Sequence, residues 1–129
     1  MAAYSNVLFA KGYNAVAPMT KHRFAVLTAN TEEAAQAAAS NVVIIGVNLF
    51  DVAALDVTHG RGCSIQMAGI AELEAGGAIA RGASVMSDSS GRAVTAATAG
   101  NYVVGIALEA VSGAGNRVPV LLAIPGRVL

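Results

Sequence analysis

Gly77-Ala78-Ile79-Ala80-Arg81-Gly82-Ala83-Ser84-Val85-Met86, Asp88-Ser89-Ser90-Gly91-Arg92-Ala93-Val94, Tyr102-Val103-Val104-Gly105-Ile106-Ala107-Leu108 and Arg117-Val118-Pro119-Val120-Leu121-Leu122 are four short apolar runs separated by Gly-, Ser- and Asp-rich breaks. Runs of this size, rich in Val and Ile and bounded by turn formers, read as β-strands joined by tight turns. Ser90-Gly91 supplies a residue that accepts positive φ at no steric cost, as a hairpin turn requires. Gly113-Ala114-Gly115-Asn116 does the same for the last pair. The fold class that follows is mainly β: a compact barrel- or sandwich-like domain of short strands with at most one or two short helices.

Working back from that region, residues 21–76 show the same grammar. Residues 22–28 alternate around Phe24, Val26 and Leu27 and read as a strand. Val42-Val43-Ile44-Ile45-Gly46-Val47-Asn48-Leu49 is a continuous β-branched run, which predicts a strand buried on both faces. Residues 51–56 read as a connection and His59-Gly60-Arg61-Gly62 as a tight turn. Cys63, Ile65 and Met67 alternate with Ser64, Gln66 and Ala68, so a half-buried strand is expected with Gln66 outward; residues 70–74 continue it. The one helical signal covers residues 30–40. Asn30 can cap, Glu33 stands in the reciprocal capping position, and Ala34, Ala35, Ala37, Ala38 and Ala39 have high helix propensity. A turn followed by a small-residue strand is the competing reading.

A shift of about 59 positions partly superposes the two parts of the chain. Ile44-Ile45-Gly46-Val47 falls on Val103-Val104-Gly105-Ile106. With a shorter loop in the second copy, Ile65-Gln66-Met67-Ala68 meets Val120-Leu121-Leu122-Ala123. The domain organisation expected is an extended arm over residues 1–20 and one β-rich domain over 21–129, with two similar halves, 21–72 and 73–129. If the repeat is real, residues 30–40 face a turn-plus-strand segment, which weakens the helix. In each half the glycine of the buried strand permits a bulge or a close backbone approach. Residues 1–20 hold Tyr4, Val7, Leu8, Phe9, Tyr13, Val16 and Met19 without a clean period. An extended arm with anchors and an ordinary first strand around residues 6–10 both fit them.

The 129 residues make one domain, 55% hydrophobic and 12% charged, with formal net charge +0 and mean hydropathy +0.59. Soluble domains average roughly 25% charged residues. A small domain this poor in charge leaves apolar atoms outside, and the expected resolution is that other subunits cover them. No charge-free stretch reaches the roughly 20 residues that span hydrocarbon, so no membrane segment is expected. The N-terminus lacks the apolar core of a signal peptide, which predicts synthesis in, and retention by, the cytoplasm of the producing cell. Cys63, the lone cysteine, reads as a small buried hydrophobe. Eight basic and eight acidic residues are scattered along the chain, so no phosphate-binding face, and hence no nucleic-acid partner, is expected.

Chemistry is sparse. His22 and His59 are the only histidines, and no His/Cys/Asp cluster has metal-ligand spacing. Gly60-Arg61-Gly62 and Gly76-Gly77 lack the Lys-Ser/Thr and helix of a phosphate loop. Glu72 and Glu74 share one face of a strand, an exposed one by default. The chain is expected to be no enzyme and to need no cofactor. The interface candidates are Tyr4, Leu8, Phe9 and Tyr13 of the arm, with Lys21 and Arg23 of the basic triplet beside it.

The order Ala75-Gly76-Gly77-Ala78-Ile79-Ala80-Arg81-Gly82, Asp88-Ser89-Ser90-Gly91-Arg92, Tyr102-Val103-Val104-Gly105-Ile106-Ala107 and Val118-Pro119-Val120 resembles the DUF2190-type capsid cement, or decoration, proteins of tailed bacteriophages. Arg23-Phe24-Ala25-Val26-Leu27 and Ile45-Gly46-Val47 are similar to that family's first half. The resemblance runs from about residue 21 onward and rests on turn glycines and apolar strands. It implies a mostly β protein on the exterior of a virion capsid. There it would bind the major capsid protein of the HK97-like type and staple neighbouring subunits. It also implies a homo-oligomer, trimer favoured and dimer the alternative, with no catalytic residues to carry over. Another β-rich virion or assembly component and a small ligand-binding β-barrel remain the alternative readings.

Overall fold

The structure, a computed structural model, describes residues 6–97 and 99–128, without the side chains of residues 6 and 125–128. Its elements are β1 (Asn6–Ala15), β2 (Arg23–Leu27), β3 (Glu33–Gln36), β4 (Gly46–Asn48), α1 (Ala54–Thr58), β5 (Gly62–Glu74), β6 (Ser84–Ser87), β7 (Ala93–Thr95), β8 (Tyr102–Ala107) and β9 (Arg117–Val128). All nine strands belong to one sheet in the order β1-β3-β2-β4-β5-β9-β8-β6-β7, and β1 also pairs with β5. The architecture is therefore mainly β, as the sequence predicts. It is a sheet that doubles back on itself rather than a barrel.

One pairing scheme occurs twice. In the first instance β2 is antiparallel to β3 and to β4, and β4 to β5. In the second, β6 is antiparallel to β7 and to β8, and β8 to β9. The long strands obey the same rule: Asn14↔Gly62 and Ala10↔Gln66 between β1 and β5 correspond to Glu74↔Arg117 and Ile70↔Leu121 between β5 and β9. The isolated bridges Met19↔Val52 and Ile79↔Val111 match as well. So do the left-handed residues His22 (φ 64) and Gly82 (φ 85), whose N–H groups donate to the Asn48 and Ala107 carbonyls at 2.8 and 2.7 Å. The repeated unit thus starts within β1, and β5 ends the first copy while opening the second.

Glycine explains why β4 and β8 can lie where they do. A Cβ at Gly46 would stand 2.1 Å from the Gln66 carbonyl oxygen, and one at Gly105 would stand 2.4 Å from that of Leu121. Each strand crosses its neighbour's backbone more closely than any side chain permits. A register shift accompanies the second of these, between Val103 and Gly105.

Each repeat has its own core. Met19, Ala25, Ala34, Val52, Cys63 and Ile65 form the smaller cluster, in the first repeat. The larger contains Ala71, Leu73, Val85, Val104, Val118 and Val120 of the second repeat together with Phe24, Ile44 and Val47 of the first. The first repeat therefore closes the inner face of the second. Fully burying a side chain of this kind stabilises by about 1.5–3 kcal/mol, which is why the shared cluster joins the repeats into one body.

The structure differs from the sequence signals at four places, the first a choice the sequence left open. Residues 30–40 are the turn and strand of the competing reading, with β3 in place of a helix. Asn30 and Glu33 do bond to each other, Asn30 Nδ2 donating to Glu33 Oε1 at 3.0 Å, but Glu32 has φ 59, which ends any helix, and Ala34 is fully buried against the sheet. Packing of a small residue overrides alanine's helix propensity. The second difference is α1, which lies in the segment read as a connection; Asp56 Oδ2 accepts the Ala53 N–H at 3.0 Å. Third, only Gly46–Asn48 of the β-branched run is strand, and Val43 is 51% exposed. Fourth, Gln66 is buried, not outward, its amide donating to the Ala68 and Ile70 carbonyls.

Candidate interaction surface

Of the two readings open for residues 1–20, the described part, β1, is a strand hydrogen-bonded to β5 of the same chain. Its other edge pairs only with β3, at Asn14 and Ala15 among the described residues. Val7, Leu8 and Phe9 on β1 are exposed, Leu8 by 72%. Tyr4 lies outside the described residues. Tyr13 turns to the first-repeat core, with the Lys11 ammonium 4.3 Å above its ring. Lys11 is also paired with Glu32, and that hydrogen bond raises the Lys11 pKa above its ordinary value.

Lys21 is exposed, and its backbone N–H donates to Asp51 Oδ1 at 2.9 Å. Arg23 holds the repeats together. Its Nη2 lies 3.2 and 3.3 Å from the Glu74 carboxylate oxygens and its Nη1 donates to the Ser90 carbonyl. Arg92 extends this cluster to Glu74 and Asp88. The five described sequence candidates therefore do not form one patch. Leu8 and Phe9 face solvent on β1, Tyr13 packs inward, and Lys21 and Arg23 sit at the start of β2.

Sequence reasoning missed an apolar row on the outer face of the second repeat. Ser84 pairs with Ile106, Ile106 with Leu121, and Leu121 with Ile70. Cross-strand partners share a face, so these side chains form one line over β6, β8, β9 and β5. Ile106 and Leu121 are 45% and 46% exposed. Ile70 pairs on with Asn6, which brings the row to β1, the strand that also carries the exposed Val7, Leu8 and Phe9. The ion pair between Arg117 Nη1 and Glu72 Oε1, 3.1 Å long, marks its margin. A shallow recess lined by Glu109, Ser112, Asn116, Arg117 and Pro119 adjoins it.

Cys63 is buried, with Sγ 3.5 Å from the Tyr13 carbonyl; burial pushes its thiol above the ordinary range. Among the described residues no group of three or more His, Cys, Asp or Glu side chains could hold a metal ion. None of the described helices is long and apolar enough to cross a membrane. The row offers contact area whose paired residues, Ser84, Ile106, Leu121 and Ile70, carry no charge. Exposed apolar patches mark sites of interaction.

No curated protein matches this sequence. Among solved structures, the crystal structure of the N base of the head fiber gp8.5 of bacteriophage phi29 is similar, with a TM-score of 0.71 over 92% of this chain and 97% of that one. At 20% identity the likeness is one of fold. The phage cement protein model matches residues 21–122, which include β2 through β8 and the row at Ile106 and Leu121. On the strength of that match, the chain belongs to the phage cement protein family.

Proposed function

We propose that this chain is a structural virion protein that binds the outside of an assembled phage capsid and stabilises it by bridging neighbouring major capsid subunits of the HK97-like type. It acts as a homo-oligomer, with a trimer favoured and a dimer the alternative, and catalyses no reaction. The observation that carries the reading is family membership over residues 21–122; the phi29 head fiber neighbour points to the same setting.

The physics is compatible. A subunit with 12% charged residues and net charge +0 has little electrostatic attraction to any surface, so its contacts rely on apolar area and shape. An oligomer that touches several capsid subunits at once adds modest contacts through effective concentration. Leu8 and Phe9, on the open side of β1, are the members of the original interface set best placed to take part. The test mixes the purified protein with capsids lacking it, at stoichiometric excess. Saturable co-sedimentation, together with a higher temperature of capsid disruption, is the expected result. Capsids that neither bind the protein nor gain stability would remove the proposal.

A further inference from the structure

The internal repeat reveals what covers the apolar row where it occurs a second time. One repeat earlier, Ser84, Ile106, Leu121 and Ile70 become Phe24, Val47, Gln66 and Ala10, joined by the same cross-strand pairs. There Phe24 and Gln66 are 0% exposed and Val47 is 1% exposed, while Ala10 at the end of the row is exposed. Phe24 and Val47 share a cluster with Leu73, Val85, Val104, Val118 and Val120, which are inner-face residues of the following repeat. The outer row of this unit is thus a surface that this fold's own β surface buries.

The two ends of the pair of repeats differ. At the first end the β4–β5 connection carries α1, and its Val57 packs on the first-repeat core. At the other end the row is bare: Ile106 and Leu121 remain nearly half exposed. In stacked-repeat architectures an uncapped terminal unit presents the same apolar face that its neighbours bury, and associates through it. The charge pattern agrees. The row's centre is uncharged, and its margin holds a neutral ion pair, Arg117 with Glu72. The margin therefore adds no net charge to a contact between copies.

We propose that the row Ile106–Leu121–Ile70 is the surface through which one copy of this chain docks on a second copy. The inference deepens the homo-oligomer part of the proposed function and rests on that part alone. It assigns self-association to the outer face of the second repeat and leaves capsid contact to other surfaces.

The test measures mass and capsid binding on the full chain. Wild type is expected at a multiple of 12.9 kDa by mass photometry or sedimentation. The pair Ile106→Asp with Leu121→Asp is expected at one chain mass with unchanged far-UV circular dichroism. A milder pair, Ile106→Thr with Leu121→Ser, guards against misfolding and is expected to weaken association at least about tenfold, as loss of central apolar anchors does. A wild type that is monomeric, or folded variants that assemble as wild type does, overturns the proposal. Variants that stay assembled but lose capsid co-sedimentation assign the row to the capsid, which overturns the self-docking and leaves the proposed function standing. If wild type assembles through the row yet never binds capsids, the proposed function falls and the self-docking stands.

Discussion

Replacing Gly46 or Gly105 with alanine tests the repeat and the sheet together. A Cβ at Gly46 would lie 2.1 Å from the Gln66 carbonyl oxygen and 2.7 Å from Ile65 Cγ2. At Gly105 the corresponding distances are 2.4 Å to the Leu121 oxygen and 2.6 Å to Val120 Cγ1. Relief to ordinary contact near 3.5 Å requires the paired strands to separate by roughly 1 Å. The obstacle in both places is backbone of the neighbouring strand, so no side-chain rotation can absorb it. Overpacking typically costs about 1–3 kcal/mol, and here the upper end is expected. Gly77→Ala and Gly113→Ala, where nothing lies within 4 Å and φ is not positive, serve as controls and should stay within about 1 kcal/mol of wild type, in either direction. Urea unfolding at one fixed protein concentration reads all four, since association would otherwise shift the midpoint. A loss of about 3 kcal/mol moves the midpoint down by roughly 1–3 M. Finding Gly46→Ala and Gly105→Ala within about 0.5 kcal/mol of wild type, the range of an ordinary surface change, would refute the close-approach argument.

Arg23→Met removes both hydrogen bonds to Glu74 and the one to Ser90. Discounted for partial exposure, the cost is about 1–2 kcal/mol, and a double-mutant cycle with Glu74→Gln should give a coupling near 1 kcal/mol; additive losses would mean the pair does not join the repeats. Cys63 should react with a thiol reagent at least about a hundredfold more slowly in the native protein than in denaturant, because burial keeps the thiol protonated and covered. Its folded pKa is raised, so the stability it contributes is complete below the unfolded thiol pKa. That contribution is lost as pH rises through the folded value, and Cys63→Ala should flatten the alkaline limb of a stability–pH curve. Glu33 behaves oppositely: hydrogen bonds from the Thr28 hydroxyl and then the Asn30 amide lower its pKa. Its contribution is present above the ordinary carboxylate range and lost as pH falls through the folded value. Glu33→Gln should therefore lessen acid sensitivity, and an unchanged acid limb would count against the turn's hydrogen bonds.

Fold class was legible because turn chemistry and β-branched runs are local signals. Gly91 and Gly115 take positive φ at the hairpin positions that Ser90-Gly91 and Gly113–Asn116 mark in the sequence. The alignment of Gly46 with Gly105 was also readable, and both turn out to cross a neighbouring strand. What could not be read is context. The alanines after Glu33 favour a helix in isolation, yet β3 forms because Ala34 packs into the core with Val52, Cys63 and Ile65, a decision made by residues distant in sequence. Val47 and Ile106 look alike and align, but one is 1% exposed and the other 45%. Nothing in either local sequence distinguishes a row that a second repeat will cover from one that it will not. The outer row was therefore missed, while Tyr13 and Arg23, chosen for their chemistry, prove to be engaged within the chain.

The disposition of charge sharpens the case for a covered surface. Lys11, Arg23, Arg61, Arg92 and Arg117 all have carboxylate partners inside the chain, on Glu32, Glu74, Asp56, Asp88 and Glu72. A chain with few ionic groups thus engages most of its cations internally, two of them at the junction between repeats. Paired charges attract less solvent and carry little net field. The outer face of the second repeat is left with Ile106, Leu121 and Ile70 and no charge at its centre. Among the described residues ten large apolar side chains are exposed, including Ile106 and Leu121, which are direct cross-strand partners. Scattered singly, such residues require no explanation; paired on one flank, and matched by a buried counterpart in the other repeat, they mark the flank on which this fold meets a neighbour.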